Sequence, residues 1–188
     1  MSEFSFSHIY FARKVKTPLF KTGLMCYNRL NSMGNCAMNE ETDVSKKVIL
    51  EQQSDSEGCT EEIGAAFARR IEGQNDAFLW LKGDLGAGKT AFVRGMASVL
   101  CPGARVCSPT YTVMRPYRGK NTTLYHFDMY RITSEEDLES VGFYDCAGII
   151  AAEWCENTPY ALPDRYYLVE IEKKGEQTRY IRISEQEG

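Results

Sequence analysis

The sequence predicts one α/β domain, a mixed β-sheet flanked by helices, and three observations predict it. Gly83–Thr90 reads GDLGAGKT, a match to G-x-x-x-x-G-K-[ST]. Before it stands Ala77-Phe78-Leu79-Trp80-Leu81, a short apolar run suited to a strand buried on both faces. After it, Phe92/Met96 and Val93/Ala97/Leu100 recur at helical spacing until Cys101-Pro102-Gly103 stops the helix. Strand, glycine-rich loop and helix therefore agree, and the domain is of the P-loop NTPase-like kind.

The remaining elements follow in order. Val48-Ile49-Leu50 predicts an edge strand. The next helix has Thr60 as its expected N-cap, Glu61 and Glu62 at its positive end, and Ile63, Phe67 and Ile71 as its apolar stripe. Beyond the glycine-loop helix, Tyr111–Tyr117 and Thr122–Tyr130 predict two strands joined across Arg118-Gly119-Lys120-Asn121. Thr133-Ser134-Glu135-Glu136-Asp137 opens a short helix with capping-box character, and Gly142 closes it after Leu138 and Val141. Gly148–Ala152 is a second buried-strand run, and Tyr166–Glu172 with Gln177–Ile183 predict a second hairpin around Lys173-Lys174-Gly175-Glu176. No internal repeat is visible.

The glycine loop implies binding of a nucleoside triphosphate. Its glycines let successive backbone N–H groups curl around phosphates, so Asp84, Leu85, Gly86, Ala87 and Gly88 are the candidate cradle, backed by the positive end of a helix. Lys89 is the candidate for the β- and γ-phosphates, and Thr90 offers its hydroxyl to Mg²⁺. Two carboxylates are placed to decide how a nucleotide is used. Glu153 directly follows an apolar strand run, where open α/β sheets bind ligands. Asp128 lies on a strand in which Leu124, His126, Asp128 and Tyr130 point one way and Tyr125, Phe127 and Met129 the other, which sets His126 beside it. Each acid either serves Mg²⁺ and the attacking water or pairs with a base such as Arg131. Thr110, in Ser108-Pro109-Thr110-Tyr111-Thr112, is either a switch residue sensing Mg²⁺ and the γ-phosphate or part of an ordinary proline turn. His126 is a hydrogen-bonded structural group or a base, and Trp154 borders a nucleotide or fills core volume. Arg115, Arg118, Lys120 and Arg131 form a solvated basic face or a docking surface for an acidic partner.

Composition narrows the class. Of 188 residues, 43% are hydrophobic, enough for one domain with a sizeable core. No run of about eighteen apolar residues predicts a membrane span. Seven cysteines occur without a C-x-x-C pair, which favours reduced thiols and a reducing cytoplasm. Residues 1–38 hold five basic groups against one acid, net +4, so within a chain of net −4 residues 39–188 carry −8. An acidic domain is poorly suited to gripping a nucleic-acid backbone unaided, because that affinity comes mainly from Lys and Arg. Residues 1–45 show no sustained periodicity and are expected to be a poorly ordered extension, with the domain over 46–188. That basic, Ser-containing segment reads as a transit peptide or, given Met33 and Met38, as an over-extended start. A small nucleoside or nucleotide kinase remains the alternative, but it needs an arginine-rich lid for which there is no obvious room. A GTPase needs an Asn/Thr-Lys-x-Asp element, and none occurs.

Taken in order, GDLGAGKT at Gly83–Thr90, SPTYT at Ser108–Thr112, YHFDMYR at Tyr125–Arg131 and Glu153-Trp154 closely resemble one family, the TsaE ATPase subunit of bacterial tRNA threonylcarbamoyladenosine synthesis, over about residues 46–183. The resemblance implies a cytoplasmic ATP- and Mg²⁺-dependent hydrolase of low intrinsic activity, stimulated in a complex. It would act with transferase subunits of the TsaD/TsaB type, which modify the adenosine next to the anticodon of tRNAs reading ANN codons, and would meet tRNA only through them. By the same resemblance Lys89 and Thr90 are phosphate and Mg²⁺ ligands, Asp128 and Glu153 the acids of the metal and hydrolysis site, and Thr110 the switch residue. The resemblance also implies that the Thr60/Glu61 region, preceding the first long helix, would lie near the adenine. The alanine-rich strand before Glu153 and the long N-terminus depart from the family pattern.

Overall fold

A computed structural model describes residues 47–187, so the expected extension over residues 1–45 lies outside the described residues. The described chain contains seven strands: β1 (Lys47–Ser54), β2 (Ala77–Lys82), β3 (Met114–Arg118), β4 (Thr123–Asp128), β5 (Ile149–Glu153), β6 (Arg165–Lys173) and β7 (Arg179–Glu187). Its three α-helices are α1 (Glu57–Ile71), α2 (Lys89–Leu100) and α3 (Glu135–Ser140). Among these residues no helix is long and apolar enough to cross a membrane.

The strands form one mixed sheet in the order β1-β7-β6-β2-β5-β4-β3. Strands β6, β2, β5 and β4 run parallel in the centre, while β1, β7 and β3 join antiparallel at the flanks. Alternation along the central strands feeds two separate layers. Leu79, Leu81, Ile149 and Ala151 pack with Ile63, Phe67 and Ile71 of α1 and Phe92, Val93 and Met96 of α2. Phe78, Ile150 and Ala152 face Leu138 of α3 together with Phe127, Met129 and Phe143. Both faces of β2 and β5 are thus dry, which is why these strands read as continuous apolar runs.

Strand ends shift by a few residues, most at β1 (Lys47–Ser54, expected over Val48–Leu50) and β7 (Arg179–Glu187, expected over Gln177–Ile183), and three further shifts have a hydrogen-bonding reason. The N-cap of α1 is Ser56, not Thr60: its hydroxyl accepts from the Cys59 N–H at 3.1 Å, and the helix starts a turn earlier. Thr60 instead lies buried inside the helix, with its hydroxyl 2.8 Å from that of Ser54. β3 begins at Met114 rather than Tyr111, because the Thr112 and Val113 N–H groups donate to the Pro109 carbonyl in a turn. β4 ends at Asp128 rather than Tyr130, because the Asp128 carboxylate accepts the Tyr130 N–H at 3.0 Å and opens a 3₁₀ turn over Met129–Arg131. The capping box of α3 is as expected, with Ser134 and Asp137 reciprocally bonded.

Candidate functional site

The parallel strands deliver their chemistry to one edge. β2 ends at Lys82 and runs straight into the glycine loop, and the register of β4 and β5 sets Asp128 opposite Glu153. Glu153 also pairs in register with Leu81 of β2. The loop, Asp128 and Glu153 thereby share the carboxyl ends of three adjacent strands, at a cleft of about 940 Å³.

The loop has the backbone shape that phosphate binding needs. Gly86 (φ 70°) and Gly88 (φ 113°) are left-handed, conformations that cost other residues about 1 kcal/mol or more. Gly88 is the N-cap of α2 and supplies no side-chain cap, so the first N–H groups of that helix lack an intrahelical acceptor and open on the cleft. Lys89 is only 5% exposed, and its Nζ donates to the carbonyls of Gly83 at 2.6 Å and Asp84 at 3.1 Å. The same Nζ stands 3.6 Å from Glu153 Oε2 and 4.7 Å from the centre of the Trp154 ring. Trp154 therefore borders the cleft, turned there by its own left-handed φ of 62°.

His126 resolves as a hydrogen-bonded partner of the neighbouring strand. It is fully buried, and its Nε2 lies 2.8 Å from Glu153 Oε1, so the expected neighbour Asp128 is not the group it holds. The small Ala151 stands directly opposite His126 in the register, which leaves room for the imidazole to reach Glu153 diagonally. Its Nδ1 has no hydrogen-bond partner among the described residues, so the contact with Glu153 is the one polar contact of the ring there. Neither acid pairs with Arg131 among the described residues; that guanidinium lies 5.9 Å from the centre of the Tyr111 ring.

The turn before β3 completes the rim. The hydroxyls of Ser108 and Thr110 are 2.7 Å apart, and both residues line the cleft with Asp128 and Glu153. Val113 holds a left-handed φ of 63°, strained for a β-branched residue, and its carbonyl accepts the Asp128 N–H at 2.9 Å. Movement of this turn and the position of Asp128 are thus mechanically joined.

Most expected site residues meet in the cleft: Leu85, Gly86, Ala87, Gly88, Lys89, Thr90, Thr60, Thr110, Asp128 and Glu153 all line it. Asp84 does not; its part is played by its carbonyl, which accepts from Lys89 Nζ and from the Ala87 N–H. Residues that the motifs do not reveal also contribute. Arg94 bridges Glu57 at 2.6 Å and Glu61 at 2.5 Å beside the cleft, and these hydrogen bonds hold its pKa above the ordinary value. Arg179, from the distant second hairpin, reaches the Ala87 carbonyl. A lone arginine after a turn carries no local signal of such a role.

A glycine loop at the end of a central parallel strand, a buried lysine in the helix behind it and an acid at the end of the adjacent strand define a P-loop nucleotide-binding protein. Comparison with known proteins narrows this class. Residues 54–181 match the family described as TsaE, threonylcarbamoyl adenosine biosynthesis protein. The chain is 36% identical over 145 residues to the tRNA threonylcarbamoyladenosine biosynthesis protein TsaE of Aquifex aeolicus, covering 75% of this chain and 97% of that one. The Bacillus subtilis protein of the same name is 38% identical over 123 residues, 65% of this chain and 75% of its own. The crystal structure of Bacillus subtilis YdiB superposes with a TM-score of 0.60 at 28% identity, covering 75% of this chain and 88% of that one. The chain belongs to the TsaE family.

Proposed function

We propose that this protein binds ATP with Mg²⁺ in the cleft, hydrolyses it slowly alone, and drives threonylcarbamoylation of the adenosine next to the anticodon in tRNAs reading ANN codons. In this reading it works in the cytoplasm with transferase subunits of the TsaD/TsaB type, and the transfer chemistry is theirs. The observation that carries it is the buried chain His126–Glu153–Lys89 behind the open N-terminus of α2.

The residues fit the groups they would hold. The left-handed glycines and the uncapped helix suit a polyphosphate. No cluster of three or more His, Cys, Asp or Glu suited to a metal ion occurs among the described residues. Mg²⁺ is usually held by one or two carboxylates together with substrate phosphates rather than by an all-protein cage, and two carboxylates, Asp128 and Glu153, line the cleft with Thr90. Thr90, Asp128 and Glu153 would hold it, and bound there it neutralises charge developing on the phosphates.

Each side chain then has a definable task. Lys89 balances phosphate charge, and the loop carbonyls of Gly83 and Asp84 keep its ammonium aimed along the loop. His126 fixes one oxygen of Glu153, leaving the other to orient a water or the metal's hydration shell. Asp128 serves as the second acid, and Thr110 follows nucleotide state through the turn whose Val113 carbonyl is bonded to the Asp128 N–H. Trp154 and the α1 start border the site.

Steady-state hydrolysis by the parent, Asp128→Ala and Glu153→Ala proteins tests this reading, with and without the transferase subunits. Both variants should fold and lose more than about tenfold in rate. Parent rates in both would remove the hydrolysis site from this cleft.

A further inference from the structure

The β6–β7 hairpin is remote from every nucleotide motif in the sequence, yet it touches the glycine loop along its length. A Cβ placed on Gly83 would stand 2.4 Å from the Ile171 carbonyl, so strand and loop meet backbone to backbone. Lys173 Nζ donates to the Leu85 carbonyl at 2.8 Å, and Arg179 Nε donates to the Ala87 carbonyl at 2.9 Å. The two cations flank the hairpin turn, one on each leg, and grip alternate carbonyls of the loop. We propose that Arg179 is a positioning residue of the phosphate loop, acting through its Nε–H bond to the Ala87 carbonyl, with Lys173 as its counterpart at Leu85; this rests on the reading of the cleft as an ATP site.

The physical argument starts from the planarity of the peptide. Within a trans peptide the C=O and the following N–H point in opposite directions. Holding the Leu85 and Ala87 carbonyls toward the hairpin therefore turns the N–H groups of Gly86 and Gly88 the other way. These are the two loop residues whose left-handed conformation the cradle requires. Glycine alone would leave those planes free to rotate, because it loses more conformational freedom on ordering than any other residue. The strut is itself rigid. Arg179 Nη1 donates to the carbonyls of Gly175 at 3.1 Å, Glu176 at 3.2 Å and Thr178 at 3.0 Å, which fixes the guanidinium against its own turn. Arg179 takes part in no ion pair among the described residues, and its side chain lines the cleft.

Gln is the informative substitution, because its Nε2 falls where the arginine Nε stands while the charge and the outer fork are removed. Calorimetric ATP titration and steady-state kinetics of the parent, Arg179→Ala and Arg179→Gln proteins are combined with amide hydrogen exchange of Leu85–Gly88 in the nucleotide-free proteins. Arg179→Ala should raise the ATP Kd about tenfold, as for loss of one hydrogen bond made by a charged group, with the loss falling on KM rather than kcat. It should also speed exchange in the loop. Arg179→Gln should restore both to within about threefold of the parent. Parent-like Kd and exchange in Arg179→Ala, or failure of Gln to rescue either, would overturn the proposal. Should the parent itself take up no ATP, the nucleotide reading fails, and the exchange data still decide whether Arg179 holds the loop.

Discussion

The ammonium of Lys89 is almost wholly withdrawn from water, and what compensates it determines how the site is set. Two carbonyls, a carboxylate oxygen at 3.6 Å and an indole face surround it, so the charge is solvated by protein rather than left bare. Lys89→Ala should abolish most ATP affinity in calorimetry, since it removes the cation aimed at the phosphates and leaves Glu153 buried beside only His126. His126→Leu should spare ATP affinity but slow hydrolysis, because Glu153 loses the contact that holds Oε1 and so orients the carboxylate's other oxygen. His126→Gln, which keeps a donor at similar reach, should retain more of the rate, and equal rates in the two would refute the positioning role. Lys89, Asp128 and Glu153 were legible in the sequence because each sits at a strand end or in a fixed spacing. The partnership of His126 was not, because it depends on the β4/β5 register, which sets the small Ala151 opposite it and which local pattern does not encode.

Helices α1 and α2 approach closely because glycine stands at both contact points. A Cβ at Gly64 would meet the Phe92 carbonyl at 2.2 Å, and one at Gly95 would meet the Glu61 carbonyl at 1.9 Å. The sequence showed the apolar stripes of both helices but not this contact, since a helical glycine reads equally as a weak point. Gly95→Ala should cost about 1–3 kcal/mol, the usual range for overpacking, seen as a lower denaturant midpoint. Because α1 carries Thr60 and α2 carries the loop, the same change should weaken ATP binding. At α3, Ser134→Ala should cost about 1 kcal/mol through loss of the cap. Hydrogen bonds from Thr133, backbone first, hold the Asp137 carboxyl below its ordinary 3.8, so its contribution is complete above that value and fades as pH falls through the lower folded pKa. Asp137→Asn should therefore flatten the acid limb of the stability profile. The misplaced N-cap of α1 has a local cause: Ser56 and Thr60 both suit a cap, and only the end of β1 at Ser54 decides between them.

Across the whole chain, the parallel centre of the sheet gathers the site at one edge, and the charge distribution bears on how that site meets RNA. The buried-strand runs made the sheet legible, whereas the order β1-β7-β6-β2 was not, because it places the C-terminal hairpin between β1 and the loop strand by long-range pairing. Residues 39–188 carry a net charge of −8, and the basic residues Arg115, Arg118, Lys120 and Arg131 are too few to offset it. Nucleic-acid affinity scales with the number of phosphates neutralised by Lys and Arg, so this domain should bind tRNA poorly at physiological salt unless partner subunits supply the cations. The family match spans residues 54–181 and the strand that opens the described domain begins at Lys47, both well past the basic segment. A chain beginning at Met38 should therefore fold, bind ATP and support tRNA modification with its partners as fully as the parent. In a gel shift that shortened protein alone should leave tRNA unretarded. Tight, salt-sensitive retardation would overturn the partner-mediated mechanism, and loss of a cooperative unfolding transition on truncation would overturn the proposed domain boundary.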